Sequence, residues 1–429
     1  MNLKTLGLVL LVPGGACAAD LPEPVFLAGV GVNIHFTRGH EKDLAMIAAA
    51  GFKFIRMDFA WAATERRKGE YDWSEYDELT ANLEKRGIRA YYILDYSNPL
   101  YEETVASKNP ITGKEEHQGT ASPQHPESIA AFARWAAAAA GHFHERRVVW
   151  EIWNEPNIFF WKPKPNVEQY TALALATSKA VRDADPQATL VAPATSTFPW
   201  DFLESFLKSG VLQYLDGVSV HPYRPKNKPP ETAADDYKKL RELIGRCAPN
   251  AEKKKIPIIS GEWGYSSNAK GVSLETQAAF IARQQLSNLL NGVPISIWYD
   301  WKNDGNDPNE NEHNFGTVTY DLQPKPAYVA VQTLNRELAG YRVTGRHEAG
   351  NEQDFVLVLT NSKGETKLAA WTTGEDHSVT LDLKPTSATE LSFAQGTGER
   401  GTAKIDRNRF TMGLAAAPKY ILLKQAELK

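Results

Sequence analysis

Two short apolar runs in the chain each end in a glutamate. Residues 150–157 read WEIWNEPN, and residues 256–263 read IPIISGEW. Both patterns are typical of buried strands that end at a polar turn, which places Glu155 and Glu262 at strand ends. A pair of carboxyl groups is what hydrolysis of a glycosidic bond requires. One protonates the leaving oxygen, and the other stabilises or captures the oxocarbenium-like carbon.

Sequence spacing leaves the distance between Glu155 and Glu262 open. A carboxyl separation of about 5 to 5.5 Å predicts retention of anomeric configuration through a covalent intermediate, and about 6.5 to 9.5 Å predicts inversion. A single glutamate at a strand end is more often a solvated rim charge. The occurrence of two such glutamates favours the catalytic interpretation.

The segments around these glutamates alternate between strand-like and helix-like patterns, which is typical of parallel strands joined by crossover helices. Eight apolar runs precede residue 300, and eight is the number that closes a (β/α)₈ TIM barrel. The predicted strands are 29–35, 52–58, 89–95, 148–155, 189–194, 217–221, 256–262 and 293–298. A doubly wound open sheet is the competing topology, but no Gly-rich phosphate loop follows the first strand. We therefore expect an α/β fold with a catalytic barrel over residues 20–338.

Polar residues at the carboxyl ends of these strands would gather at one rim of the barrel, where TIM barrels place their active sites. Those rim residues are Asn33, His35, Arg56, Asp58, Asp95, Asn154, Glu155, His221, Glu262 and Asp300.

Beyond residue 338 the pattern changes to short alternating strands separated by turn residues. Strands are predicted at 355–360, 367–372, 378–383 and 420–423. We expect residues 339–429 to form a smaller antiparallel β-sandwich that packs on the barrel.

The first 19 residues have the basic, apolar and small-residue sections of a secretory signal peptide. This predicts a secreted or periplasmic protein. Lipid anchoring at Cys17 is a less favoured alternative, because Gly14 stands where lipoprotein signals usually have leucine. Cys17 and Cys247 are the two cysteines of the chain, so neither a disulfide framework nor a cysteine metal site is expected.

Composition excludes several classes of partner. The 429 residues carry 48 Lys plus Arg against 52 Asp plus Glu, a net charge of −4, which gives no basic field for nucleic acid. No segment has the length of an integral membrane span. Motifs of esterases, zinc proteases and kinases are absent, so no cofactor is expected. The acidic residues 303–314 lack EF-hand spacing, so no metal is predicted; the oligomeric state is left open.

Three short motifs point to a known family. Residues 153–156 (WNEP), 221–223 (HPY) and 261–263 (GEW) resemble the active-site signatures of clan A glycoside hydrolases. Within that clan, residues 29–335 most resemble family 39, which includes β-xylosidases and exopolysaccharide endoglycosidases. The resemblance implies a retaining mechanism with Glu155 as acid/base and Glu262 as nucleophile.

The same resemblance assigns further residues. Asn154 matches the residue that binds the sugar 2-hydroxyl, and an amide that caps the strand-to-loop turn is the less favoured alternative. Arg56 and Tyr223 match groups that hold the nucleophile ionised and oriented, although Arg56 also suits a structural ion pair. His221 matches a histidine of the catalytic network, and a satisfied rim histidine is the alternative.

Three other residues are candidate sugar contacts. His35 ends the first strand, Trp298 ends the eighth, and Trp161 follows the acid/base in one loop with Phe159 and Phe160. Packing of that loop on the barrel is an equal alternative for Trp161.

These observations predict a secreted retaining glycosidase that hydrolyses β-D, or equivalent α-L, bonds in a poly- or oligosaccharide. A transglycosylase with the same glutamates and a noncatalytic carbohydrate-binding barrel are the alternatives.

Overall fold

The structure, a computed structural model, describes residues 20–108, 115–248 and 256–429. The predicted signal peptide and Cys17 lie outside the described residues. Cys247 is a half-buried free thiol.

The N-terminal part of the chain contains the strands that form the barrel. In chain order the strands are β1 (Val30–Asn33), β2 (Phe54–Ala60), β3 (Arg89–Asp95), β4 (Thr104–Lys108), β5 (Glu115–Thr120), β6 (Val149–Ile152), β7 (Thr189–Ser196), β8 (Gly217–His221), β9 (Ile258–Trp263) and β10 (Ser296–Trp298). Within the described residues, all of these except β4 and β5 form a closed barrel in the order β1-β10-β9-β8-β7-β6-β3-β2. Every neighbouring pair in it is parallel, and β1 closes the barrel against β10. The predicted TIM barrel is confirmed, whereas the hairpin β4–β5 was not expected.

Helices alternate with the barrel strands and cover the outside of the barrel. They are α1 (Glu41–Ala50), α2 (Trp61–Thr64), α3 (Ser74–Glu84), α4 (Pro126–His142), α5 (Val167–Ala184), α6 (Trp200–Lys208), α7 (Ala233–Cys247), α8 (Leu274–Leu290) and α9 (Pro326–Leu338). Local sequence explains two helix starts: the Asn166 and Ser273 side chains accept backbone N–H groups at the first turns of α5 and α8.

Side chains inside the barrel form layers, because every second residue of a strand points inward. The floor is apolar and contains Phe54, Tyr91, Val149, Val191, Ile259, Ile295 and Ile297. Two residues further along the strands the layer becomes polar, with Arg56 on β2 and Glu151 on β6. The rim at the carboxyl ends of the strands is therefore built directly on a layer of buried charge.

The C-terminal part is antiparallel. It contains β11 (Tyr341–Arg346), β12 (Asp354–Asn361), β13 (Thr366–Thr372), β14 (His377–Asp382), β15 (Glu390–Gln395), β16 (Arg400–Asp406), β17 (Arg409–Leu414) and β18 (Lys419–Leu422). In the part of the chain that is described, these strands form one sheet in the order β11-β12-β13-β18-β15-β16-β17-β14. The sheet folds over at β16, so that its two halves enclose a second apolar core around Val356, Leu381 and Phe410. This sandwich-like arrangement confirms the predicted fold class.

The sandwich packs on the barrel through alternate residues of β12 and β13. Phe355, Leu357 and Trp371 belong to the barrel's core cluster, whereas Val356 faces the sandwich core. The Trp371 indole N–H donates to Glu231 Oε1 at 2.8 Å, and Arg283 on α8 makes a two-pronged contact with the same carboxylate. One buried glutamate thus joins the two units.

None of the helices in the described ranges is long and apolar enough to span a membrane.

Candidate active site

Glu155 is positioned by a sharp backbone bend after β6. Trp153 and Glu155 both adopt left-handed backbone conformations, with φ of 67° and 46°, which non-glycine residues rarely adopt. The Glu155 N–H donates to the Ala194 carbonyl at 2.9 Å, which fixes the bend against β7. The carboxyl is thereby directed into the barrel mouth. Backbone strain of this kind is typical of functional sites.

Glu262 lies within β9 and follows a glycine that the packing requires. A Cβ on Gly261 would lie 2.6 Å from Ser219 Oγ and 3.0 Å from Glu151 Oε1. Real Cβ atoms do not approach other atoms this closely, so the strand reaches its position only with glycine here. The backbone that carries the buried Glu262 side chain therefore packs closely against the charged layer.

His221 contacts both glutamates. Its Nδ1 lies 3.0 Å from Glu155 Oε1 and 4.0 Å from Glu262 Oε1. A carboxylate oxygen of each glutamate and one His221 nitrogen all lie within 4.8 Å of one another. The two glutamates that the sequence placed at strand ends therefore lie close together in the barrel mouth.

Arg56 connects this site to the charged layer beneath it. Its Nε donates to Glu151 Oε2 at 2.7 Å, its Nη1 donates to Glu262 Oε2, and its Nη2 donates to Asn154 Oδ1 at 2.8 Å. Burial works to lower the pKa of Arg56, but the charges of Glu151 and Glu262 raise it well above its ordinary value. Arg56 therefore remains a cation that contacts both the predicted nucleophile and Asn154.

Contacts with Arg56 also define the tautomer of His221. Arg56 Nη2 lies 3.2 Å from His221 Nε2, and a guanidinium can only donate, so Nε2 accepts. The ring proton is then on Nδ1 and is donated to Glu155 Oε1. The second oxygen of Glu155 makes no hydrogen bond with another described residue.

The environment of Glu262 favours its charged form. The Tyr223 hydroxyl donates to Glu262 Oε1 at 2.7 Å. Burial works to raise the pKa of Glu262, but the Arg56 guanidinium and the Tyr223 hydrogen bond favour the ionised form, and the pKa lies below its ordinary value.

Asn154 is held by two partners. Its Oδ1 accepts from Arg56, and its Nδ2 donates to the Tyr96 hydroxyl at 2.9 Å. The amide is thus oriented by side chains from β2 and from the loop after β3.

His35 and Asp300 pair on the other side of the mouth. His35 Nε2 lies 3.2 Å from Asp300 Oδ2. Burial works to lower the pKa of His35, but the hydrogen bond and charge of Asp300 raise it to about 9. Burial raises the pKa of Asp300 to about 6, although His35 opposes the shift. Near neutral pH the two groups form an ion pair at the junction of β1 and β10.

Two side-chain groups among the described residues have spacing that could hold a metal ion. In one of them, Glu155, His221 and Glu262, the His221 Nδ1 presents its N–H rather than a lone pair. In the other, His35, Asp300 and Asp304, a His35 protonated near neutral pH has no free lone pair on its ring. In neither group does the histidine present a lone pair with which to bind a metal ion.

The structure corrects two of the predicted sugar contacts. Trp161 is 0% exposed, donates its indole N–H to Gln169 Oε1 at 3.1 Å, and packs on Trp153 and Tyr170. It belongs to the packing of its loop. Trp298 is also 0% exposed. Ile295 and Ile297 face the barrel interior, so Trp298, which follows Ile297, points away from it and packs in the core outside the barrel.

The inward position at this strand end is occupied by Tyr299. It is half-buried and makes edge contacts with His35 at 5.8 Å and with Phe315 at 5.2 Å between ring centroids. Strand alternation could have identified it from the sequence. Glu151 and Tyr96 were also missed as site residues, because one lies below the rim and the other follows the strand end.

The fold and site have counterparts among known proteins. A family model described as cellulase (glycosyl hydrolase family 5) matches residues 23–305. The chain is 24% identical over 265 residues to a β-xylosidase of Caldicellulosiruptor saccharolyticus, covering 54% of this chain and 52% of that protein. It is 26% identical over 264 residues to a β-xylosidase of Geobacillus stearothermophilus, covering 53% and 51%. The chain thus spans about half the length of the curated relatives it matches.

One similar solved structure is a family 39 glycoside hydrolase from Bacteroides cellulosilyticus WH2. Its TM-score is 0.78 at 25% identity, over 94% of this chain and 81% of that one. The fold is also that of a monomeric β-xylosidase from Caulobacter crescentus CB15, with a TM-score of 0.66 at 16% identity, over 94% and 97%.

The barrel and these likenesses place the chain among the glycoside hydrolases of clan A, and the predicted resemblance to that clan is confirmed. The chain belongs to the cellulase family, glycosyl hydrolase family 5.

Proposed function

We propose that the protein is a secreted retaining glycosidase that hydrolyses β-D, or stereochemically equivalent α-L, bonds in an oligo- or polysaccharide. One observation carries this proposal: carboxylate oxygens of Glu155 and Glu262 lie within 4.8 Å of each other on the rim of the barrel. Such a close approach supports the arrangement of retaining glycosidases, whose carboxyl groups stand about 5 to 5.5 Å apart and whose second carboxylate attacks the sugar directly. Secretion is supported by the signal-like residues 1–19.

The contacts of the two glutamates favour different roles. Glu262 is held ionised by Arg56 and Tyr223, which suits attack on the anomeric carbon. Glu155 receives the His221 N–H at one oxygen and has its other oxygen available for a proton. In the first step Glu155 gives that proton to the leaving oxygen while Glu262 forms the glycosyl ester. In the second step Glu155 takes a proton from water, which displaces Glu262.

The two aromatic residues after Glu155 suit the leaving-group side. Phe159 is 52% exposed, and its ring centroid lies 4.4 Å from that of Phe160. Phe160 in turn stacks on Tyr96, with 5.7 Å between ring centroids. Exposed rings in this arrangement offer a stacking surface to a sugar face.

The test is hydrolysis of glycosides by wild type, Glu155→Gln and Glu262→Gln, with the exposed Glu127→Gln as matched control. Because the two curated relatives are β-xylosidases, β-xylosides come first, followed by gluco-, galacto-, manno- and arabinosides and bacterial exopolysaccharides. We expect both active-site variants to lose at least about 10³-fold in kcat and the control to keep wild-type activity. Wild-type-like turnover in Glu262→Gln contradicts the assignment.

Product analysis decides the mechanism. Nuclear magnetic resonance should detect the retained anomer first, and azide should rescue Glu262→Ala as a glycosyl azide of inverted configuration. Inverted sugar as the first product contradicts the retaining mechanism. Longer oligosaccharides among the products favour a transglycosylase, and binding without any release of reducing ends favours a carbohydrate-binding barrel.

A further inference from the structure

Two aspartates above the charged layer have no role in the steps described so far. Asp58 lies on β2 and shares its inward direction with Phe54 and Arg56, and Asp95 ends the neighbouring strand β3. The strands are in register, with Asp58 opposite Ile93 and Ala60 opposite Asp95. Both carboxyl groups therefore point into the mouth of the barrel, beside the glutamates.

The surroundings of Asp95 are unusual for a carboxyl group. The side chain is 0% exposed, and neither oxygen meets a hydrogen-bond donor on any other described residue. A neighbouring polar group on the adjacent strand is another carboxyl, that of Asp58, which has no proton to offer Asp95 while it is ionised. A buried carboxylate without a donor is very costly, and two carboxylates cannot hydrogen-bond unless one of them is protonated. A proton on Asp95, donated to Asp58, resolves both problems.

Electrostatics place the proton on Asp95, the more deeply buried of the two aspartates. Burial raises the pKa of Asp95 well above its ordinary value, and the charge of Asp58 adds to the shift. Burial also raises the pKa of Asp58, but Arg56, His35 and the hydrogen bond with Asp95 oppose that change. Asp58 is half-buried, and because it points inward its exposed part faces the cleft. The pair thus carries one negative charge with its accepting oxygen toward the substrate.

We propose that Asp58 and Asp95 share one proton, and that Asp58 is a specificity-determining contact whose cleft-facing oxygen accepts a hydroxyl of a neutral sugar. Asp95 is a positioning residue that holds the Asp58 carboxylate through its O–H. A sugar with its own carboxylate at this position would face the charge of Asp58, so the pair favours neutral glycosides over uronides. The sugar contact rests on the proposed function, whereas the shared proton does not.

The shared proton is tested without substrate. Infrared spectra of protein labelled with ¹³C-aspartate at pH 7.5 should contain the carbonyl stretch of a protonated carboxyl in wild type and in Asp58→Asn. The band should disappear in Asp95→Asn, whose amide still offers Asp58 an N–H donor. A wild type without this band, or an Asp95→Asn variant that keeps it, overturns the pair.

The sugar contact is tested with 4-nitrophenyl β-D-xyloside and its 3-deoxy and 4-deoxy analogues, or the same series of whichever glycoside wild type cleaves. Wild type should lose about 10- to 100-fold in kcat/KM on one analogue, the range expected for a hydrogen bond to a charged group. Asp58→Asn should lose the same factor on the parent glycoside and nothing further on that analogue. The exposed Asp201→Asn serves as control.

The outcomes separate the two proposals. Equal losses by Asp58→Asn on every glycoside overturn the sugar contact. A wild type that cleaves no glycoside but has the protonated band overturns the proposed function and the contact with it, and leaves the shared proton established.

Discussion

The Tyr223 hydroxyl lies 2.7 Å from Glu262 Oε1 and donates to it. Since this hydrogen bond lowers the pKa of Glu262, Tyr223→Phe should raise that pKa. We expect kcat/KM to fall about 10- to 100-fold, the cost of losing a hydrogen bond to a charged group, and the acidic limb of its pH profile to move to higher pH. Steady-state kinetics from pH 3 to 9 measure both effects. The exposed Tyr320→Phe should change neither, and an unmoved acidic limb in Tyr223→Phe would contradict the role.

Gly261→Ala should damage the site through packing rather than chemistry. The new Cβ would lie 2.6 Å from Ser219 Oγ, so Glu262 must shift with its strand. We expect a loss of about 1–3 kcal/mol in the free energy of unfolding, together with a large loss of kcat. Denaturant unfolding and kinetics measure the two effects. Adding Ser219→Ala removes the nearest atom and should restore part of both; no recovery in the double variant would argue against a steric cause.

Tyr299 and Trp298 are adjacent, but replacing each with alanine should affect different properties of the protein. Trp298 is fully buried, so Trp298→Ala should cost about 3–5 kcal/mol of folding stability. Tyr299 faces the mouth, so Tyr299→Ala should lower kcat/KM with a smaller loss of stability. Thermal unfolding and steady-state kinetics of the two variants measure the effects on stability and on activity. Equal activity in Tyr299→Ala and wild type would exclude Tyr299 as a sugar contact.

The His35–Asp300 ion pair predicts a dependence of stability on pH. Because the pKa of His35 is raised to about 9 in the folded state, its contribution is fully present below the ordinary pKa of 6.5 and is lost as pH rises through about 9. The stability difference between wild type and His35→Asn should therefore shrink from pH 6 to pH 10. Urea unfolding across this range measures it, with the exposed His144→Asn as control. A difference that grows with pH would contradict the assigned pair.

Much of the fold was predictable because its strands are apolar and alternate with helix-like segments or turns. The eight barrel strands and four of the sandwich strands were identified in this way. Among the strands that were missed, β16 alternates between exposed and half-exposed residues, and β4 and β5 are largely polar. The positions of these three strands depend on pairing partners, which no local pattern contains. By contrast, β17 alternates between exposed and buried residues and could have been recognised from its sequence.

The glutamates were predictable because strand ends meet at one rim. Contacts across the barrel were not, and Arg56 illustrates why. Its partners Glu151, Asn154 and Glu262 are 95, 98 and 206 residues away in sequence, and only the closed barrel brings them together. The prediction of Trp298 as a sugar contact was wrong for a different reason. Whether a strand residue points inward or outward depends on a register that can shift by one residue.

Glu231 accepts hydrogen bonds from Arg283 of the barrel and from Trp371 of the sandwich. Removing the C-terminal strands would uncover this carboxylate, its arginine and the apolar surface that now meets Phe355 and Leu357. A barrel cut at residue 338 would therefore lose part of its own core, which favours aggregation. The sandwich is therefore part of one folding unit with the barrel, so the intact chain should melt in one cooperative transition.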